Sequence, residues 1–238
     1  MPAHRTRADS LRWMAQGTKT FVAALAALPD DRLDGPTALS GWTGKHLLAH
    51  VAANADALVN LAHWARTGEQ TPMYSSPQQR DADIEASATR PAAELRAWAA
   101  QAAATLDARL AELDEQQWTN QVRTAQGRNV PAEEIPWMRA REVMVHAVDL
   151  GVGFDDLAAD FLAALIDDIT AKRSAGGEGP PLTLTATDND GTWAVAGTGD
   201  PTPVTGTLAS LTAYLSGRPT DGVTGPAGQP APELPRWL

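Results

Sequence analysis

The sequence predicts an α+β protein, with an N-terminal four-helix bundle over residues 1–152 and a smaller C-terminal α+β domain over residues 153–238. Three observations carry this reading. Four long stretches repeat apolar residues at helical spacing, and the joins between them gather Pro, Gly and other turn formers. After Gly151 the pattern changes to the two-residue alternation of half-buried strands. A chain of 238 residues is long enough to fill a core in each of two domains.

In residues 8–28, Leu11, Met14, Phe21, Leu25 and Leu28 fall at near-helical spacing, and Pro29 stops the helix. A turn-rich segment then leads to the second helix, capped by Thr43, with an apolar stripe of Leu47, Val51, Leu58 and Leu61 and a stop at Gly68. Residues 69–90 read as a long connection with room for a short helix. Tyr74 and Arg80 then fall in a solvated loop, with a place in a pocket as the alternative. Pro91 starts a third helix carrying Leu95, Trp98, Leu106, Leu110 and Leu113. A second irregular stretch precedes the fourth helix, whose first turn is where Pro136 is tolerated. Beyond Gly151, residues 155–173 form a helix, 181–188 and 192–197 form strands joined by an Asn189-Asp190-Gly191 turn, and 203–208 contain a third strand. Residues 208–217 close as a helix stopped by Gly217, and the last twenty residues are expected to be irregular.

Composition excludes several function classes. The net charge of −10 disfavours general affinity for nucleic acid or anionic membranes. No apolar run approaches the ~18 residues of a membrane span, and the N-terminal segment lacks a signal peptide, so a cytoplasmic, monomeric protein is expected. With no cysteine, disulfides, thiolate ligands and a cysteine nucleophile are all excluded. Any sulfur chemistry must come from a bound thiol.

Chemistry concentrates in residues 137–151, where Glu142 and His146 stand one helical turn apart in an otherwise apolar run. A carboxylate buried there without a partner costs several kcal/mol, so something must neutralise it. On the second helix His50 falls on the apolar stripe and points inward. If the two helices are neighbours, His50, Glu142 and His146 converge as a three-ligand site for a divalent cation with a position left open. Spacing alone leaves the alternative standing, namely a hydrogen-bonded core histidine and a simple i,i+4 contact. His63, with a helical direction about 140° from His50, reads with Trp64 as a packing or surface residue.

GWTGKHLLAHVAANADALVNLAHWARTGEQTPMY, TAQGRNVPAEEIPWMRAREVMVHAVDLG, SGRPTDGV and the terminal PRWL are ordered segments that carry a resemblance extending over nearly the whole chain. In them the sequence resembles the mycothiol-dependent maleylpyruvate isomerases of the DinB-like metal-binding bundle superfamily. The resemblance implies a divalent metal, zinc by expectation, held by His50, Glu142 and His146, with mycothiol as thiol cofactor. It also implies a catalytic Arg218, and matching residues stand at all four positions.

The implied reaction turns maleylpyruvate, a cis-olefin flanked by carbonyl and carboxylate groups, into trans fumarylpyruvate in gentisate-type aromatic degradation. Rotation needs a nucleophile that adds reversibly and leaves, which a thiolate does. The metal either depresses the thiol pKa or polarises the substrate carbonyl, and Arg218 holds a carboxylate or the enolate oxygen. Two rivals stand beside this: a metal-dependent transferase joining mycothiol to another electrophile, and a metal-binding module without turnover.

Overall fold

A computed structural model describes residues 5–177, 179–235 and 237, so Arg236 and Leu238 of the terminal PRWL, Glu178 in the Gly-rich break and the first four residues lie outside the described residues. The chain divides into two units, Thr6–Val152 and a second beginning at Gly153.

The first unit is built on four long helices: α1 (Arg7–Ala27), α2 (Gly44–Thr67), α4 (Ala92–Ala111) and α5 (Ile135–Asp149). A further helix, α3 (Pro77–Ala88), lies between the second and third of these. Thr6 caps α1 by accepting from the Asp9 amide while the Asp9 carboxylate accepts from the Thr6 amide. Thr43 and His46 form the same reciprocal cap on α2, which ends at Gly68 with a left-handed φ of 78°. The expected stripe is fully enclosed: Leu47, Val51, Leu58 and Leu61 show no exposure. Leu95, Leu106 and Leu110 on α4 and Ile135, Trp137 and Val143 on α5 join them in the unit's core.

α1 packs along α5, and α2 packs along both α4 and α5. The α1–α5 approach depends on Gly17, where a Cβ would lie 2.6 Å from Val143 Cγ2 and 2.9 Å from Met144 Cγ. Only a residue without a side chain lets the backbones come so near.

The two connections hold more structure than expected. Ser76 caps α3 by accepting from the Gln79 amide, and Pro77 sits in its first turn. The connection thus holds the short helix for which it had room, Arg80 lies on that helix rather than in a solvated loop, and Ile84 on α3 is buried in the core. The stretch before α5 contains a single helical turn, Glu115–Thr119, and an antiparallel ribbon of β1 (Gln121–Arg123) and β2 (Asn129–Pro131). Pro136 lies in the first turn of α5, as required.

In the second unit a 3-10 turn, Phe154–Asp156, precedes α6 (Ala159–Gly176), which runs one residue short of the left-handed Gly177. β3 (Leu182–Ala186), β4 (Thr192–Val195), β5 (Thr202–Gly206) and β6 (Val223–Thr224) form a sheet of order β4-β3-β5-β6. β3 pairs antiparallel with β4, Leu182 opposite Val195, and parallel with β5, Leu184 opposite Val204. The inward residues Leu182, Leu184, Val195 and Val204 are buried, and α6 and α7 (Leu208–Leu215) pack on the sheet. β6 lies within the final twenty residues, which are otherwise irregular apart from a 3-10 turn at Pro226–Gly228. Among the described residues no helix is long and apolar enough to cross a membrane.

Candidate metal centre

α2 and α5 bring three of the expected residues to one point. His50 Nε2 lies 2.9 Å from Glu142 Oε2, and His146 Nε2 lies 3.5 Å from the same oxygen. The two imidazoles meet edge to face, with centroids 5.0 Å apart. One ligand atom from each residue falls within 4.8 Å of the others, the only such His/Cys/Asp/Glu cluster among the described residues. A tetrahedral ion with bonds of about 2.1 Å needs ligand atoms about 3.4 Å apart, and the two observed separations bracket that value. Both histidines are buried, whereas about a fifth of the Glu142 side chain, 21%, remains exposed, so the cluster is open on one side. Two neutral nitrogens and one carboxylate suit a borderline divalent cation such as zinc.

His146 is oriented from behind. Its Nδ1 lies 2.8 Å from Asp149 Oδ2, on a carboxylate whose side chain is fully enclosed. A carboxylate only accepts, so Nδ1 carries a proton, and the second ring nitrogen, Nε2, is the one that faces Glu142. Burial draws His146 down, but Asp149 and then Glu142 more than offset this, and its net shift is upward. Burial likewise pushes Glu142 up, yet hydrogen bonds from His146 and His50 leave it well below the ordinary carboxylate range. His50 is shifted down, by burial above all, against the attraction of Glu142. The cluster therefore keeps its carboxylate charged, and a cation taking the two Nε2 atoms would replace the protons they share with Glu142.

Three other side chains complete the surroundings. Arg139, one turn before Glu142, is 2% exposed and donates through NH1 to Val51 O at 2.7 Å and Asn54 Oδ1 at 3.0 Å, tying α5 to α2 beside the site. Burial draws its guanidinium down to about 10, against the pull of Glu142. Arg80 reaches from α3 to His50, its NH2 3.2 Å from Nδ1, and its guanidinium lies 5.7 Å from the Tyr74 ring centroid. Tyr74 is shifted up by burial first and by the Glu142 charge second.

Arg218 belongs to the second unit. It follows the left-handed Gly217 at the end of α7, its amide donating to Ala213 O and its NH1 to Ser216 O at 2.8 Å. His63 stands apart from the cluster, its Nε2 3.6 Å from Glu69, in keeping with a surface role. Sequence reasoning did not single out Asp149 or Arg139. Asp149 follows His146 by three residues and so shares its face, a spacing that could have revealed it. Arg80, read with Tyr74 as a loop residue with a place in a pocket as the alternative, carried no such spacing signal, and its contact with His50 favours the alternative.

The family model described as the mycothiol maleylpyruvate isomerase N-terminal domain matches residues 14–151, and the corresponding C-terminal-domain model matches residues 156–235. Comparison with curated proteins gives no match. A crystal structure of the mycothiol-dependent maleylpyruvate isomerase is 40% identical and superposes with a TM-score of 0.93 over 98% of both chains, as does a variant of it with one histidine replaced by alanine. YfiT from Bacillus subtilis, described as having an unusual four-helix bundle topology, is 17% identical, with a TM-score of 0.50 over 63% of this chain and 90% of its own, and shares the fold. Two family models in tandem and a 40% identical structure matched almost end to end lead to one conclusion: the chain belongs to the mycothiol-dependent maleylpyruvate isomerase family.

Proposed function

We propose that the chain is a mycothiol-dependent cis–trans isomerase that converts maleylpyruvate to fumarylpyruvate at a divalent-metal site formed by His50, Glu142 and His146. The observation that carries it is the match to the mycothiol-dependent maleylpyruvate isomerase over 98% of both chains, joined to a three-ligand cluster open on one side. Zinc is the proposed ion, the cytoplasm the proposed location and aromatic-compound catabolism the proposed setting. A monomer is the proposed functional state.

Bound in this site, a divalent cation supplies a Lewis acid that keeps a thiol as thiolate or polarises a carbonyl, and the thiol supplies a nucleophile that adds reversibly to the cis double bond. The protein's own residues do the rest. Glu142 supplies the negative charge that holds a cation in an apolar helix pair, and the two imidazoles supply neutral donors. Asp149 holds His146 in the tautomer whose Nε2 faces the site. Arg139 keeps α2 and α5 in register beside the ligands. Arg218 is the proposed partner of a substrate carboxylate or the developing enolate oxygen, a role suited to a planar, permanently charged fork.

The test is direct. Zinc-loaded protein is mixed with maleylpyruvate and mycothiol, and loss of the cis isomer is followed. Turnover is expected only with both thiol and metal present. Isomerisation that is equally fast without mycothiol, or none with both, would overturn the proposal.

A further inference from the structure

Arg173, on α6, is 7% exposed, yet among the described residues no carboxylate pairs with it. Its NH2 lies 2.9 Å from Leu215 O and 3.0 Å from Pro235 O, so both carbonyls accept from one nitrogen. Its Nε is enclosed with no hydrogen-bond partner among the described residues. A leucine or methionine would fill the same space without desolvating a charge, so the guanidinium is explained by the two oxygens that it holds.

Leu215 closes α7, and the turn that follows carries Arg218. The neighbouring carbonyls are met from within that turn: Thr212 O accepts from the Ser216 amide at 2.9 Å, Tyr214 O from the Gly217 amide at 3.1 Å and Ala213 O from the Arg218 amide at 2.9 Å. With Gly217 left-handed, this is the paired closure of a Schellman end. Leu215 O takes its donor from α6 instead. The Tyr214 hydroxyl donates to Pro232 O at 2.6 Å, so two consecutive residues at the end of α7 are tied to the C-terminal segment, one directly and one through Arg173. Pro235 also lies against Gly179, where a Cβ would meet its Cδ at 3.0 Å.

We infer that Arg173 is a positioning residue for Arg218: with residues 232–235 as a strap, it pins the end of α7 and holds the Arg218 turn in one orientation. The inference rests on the isomerase reading, in which Arg218 meets a substrate oxygen. A guanidinium stabilises developing charge only at the right distance and angle, so a loosened turn costs rate even though Arg218 keeps its charge. The metal ligands belong to the other unit, and zinc binding should not respond.

The experiment compares wild type, Arg173→Met, Arg173→Lys and Tyr214→Phe, each zinc-loaded, and repeats Arg173→Met in an Arg218→Ala background. It reads zinc content, amide hydrogen exchange over residues 212–218, and kcat for maleylpyruvate with mycothiol. Arg173→Met keeps the apolar volume and loses the donors, so the Gly217 and Arg218 amides should exchange faster and kcat should fall about 10-fold at unchanged zinc content. Arg173→Lys, which restores a charged donor, should recover part of both. In the Arg218→Ala background Arg173→Met should cost nothing further, because it acts only through Arg218. Tyr214→Phe removes a single hydroxyl and should repeat the loss on a smaller scale, which decides the question if Arg173→Met does not fold. Unchanged exchange or unchanged kcat would overturn the inference, as would an equal fall in kcat with and without Arg218, the mark of a merely structural residue. Failure of wild type to turn over maleylpyruvate would instead refute the isomerase reading, and the exchange arm would still decide whether Arg173 holds the turn.

Discussion

Replacing Asp149 with Asn should weaken metal binding by an amount that grows with pH. The Asp149 carboxylate is fully enclosed and accepts from His146 Nδ1 at 2.8 Å, a charge-assisted bond in a site without competing water. An Asn can still accept through its amide oxygen, so the tautomer survives while the ionic part of the bond is lost. Removing such a partner of a ligating histidine costs about 10- to 100-fold in affinity, or roughly 1.4 to 2.7 kcal/mol, and Asn should fall near the lower end. The pH dependence follows from a competition. Asp149 stabilises the protonated His146 as well as the metal-bound one, and His146 is shifted upward with Asp149 as the leading favourable cause. At acid pH the wild-type site must release that favoured proton to take the metal, so part of the benefit of Asp149 cancels. Above the His146 pKa no proton is displaced, and the whole benefit appears. Zinc dissociation constants for both proteins, measured against a chromophoric chelator at several pH values, should diverge as pH rises. Equal affinities at alkaline pH would refute the reasoning, and so would a gap that is widest in acid.

Three further outcomes test other parts of the account. His50→Ala should lose zinc and turnover yet retain its helical circular dichroism, because one ligand is removed but little apolar volume; full metal-independent turnover would overturn the ligand assignment. Arg218→Ala should keep its zinc and lose about 100-fold in turnover, roughly 3 kcal/mol of transition-state stabilisation, with Arg218→Lys recovering only part. Unchanged turnover would remove Arg218 from the reaction, and lost zinc would give it a structural role. Gly17→Val should lower stability by about 1 to 3 kcal/mol in thermal or urea unfolding, since its side chain would enter space held by Val143 and Met144. Equal or greater stability would show that α1 and α5 can separate without loss.

What was legible in the sequence and what was not divides along a physical line. The long helices announced themselves because an amphipathic face is written into neighbouring positions: Leu47, Val51, Leu58 and Leu61 needed only each other to be recognised, and all four are enclosed. Glu142 and His146 were legible for the same reason, one turn apart on one helix. His50 needed the added assumption that α2 and α5 are neighbours, which the family resemblance supported and the 2.9 Å approach realises. The strand pair around Asn189-Asp190-Gly191 was written in its turn, but the placement of β5 parallel to β3, on the side away from β4, was not, because nothing local specifies which edge a returning strand joins. Gly17 reads in sequence as a weak point of α1, and its value appears only when Val143 is known to lie against it. Arg80 is the extreme case. It sits in a polar segment without a helical stripe, and its partner is 30 residues away on another element. Its place beside His50 is set by the path of the chain through Ser76, Pro77 and the buried Ile84, which anchors α3 against the bundle and turns the Arg80 side of that helix toward the site. Side chains that must converge from rigid helices leave a periodic trace, whereas a residue that meets the cluster from a connection is selected by tertiary geometry alone.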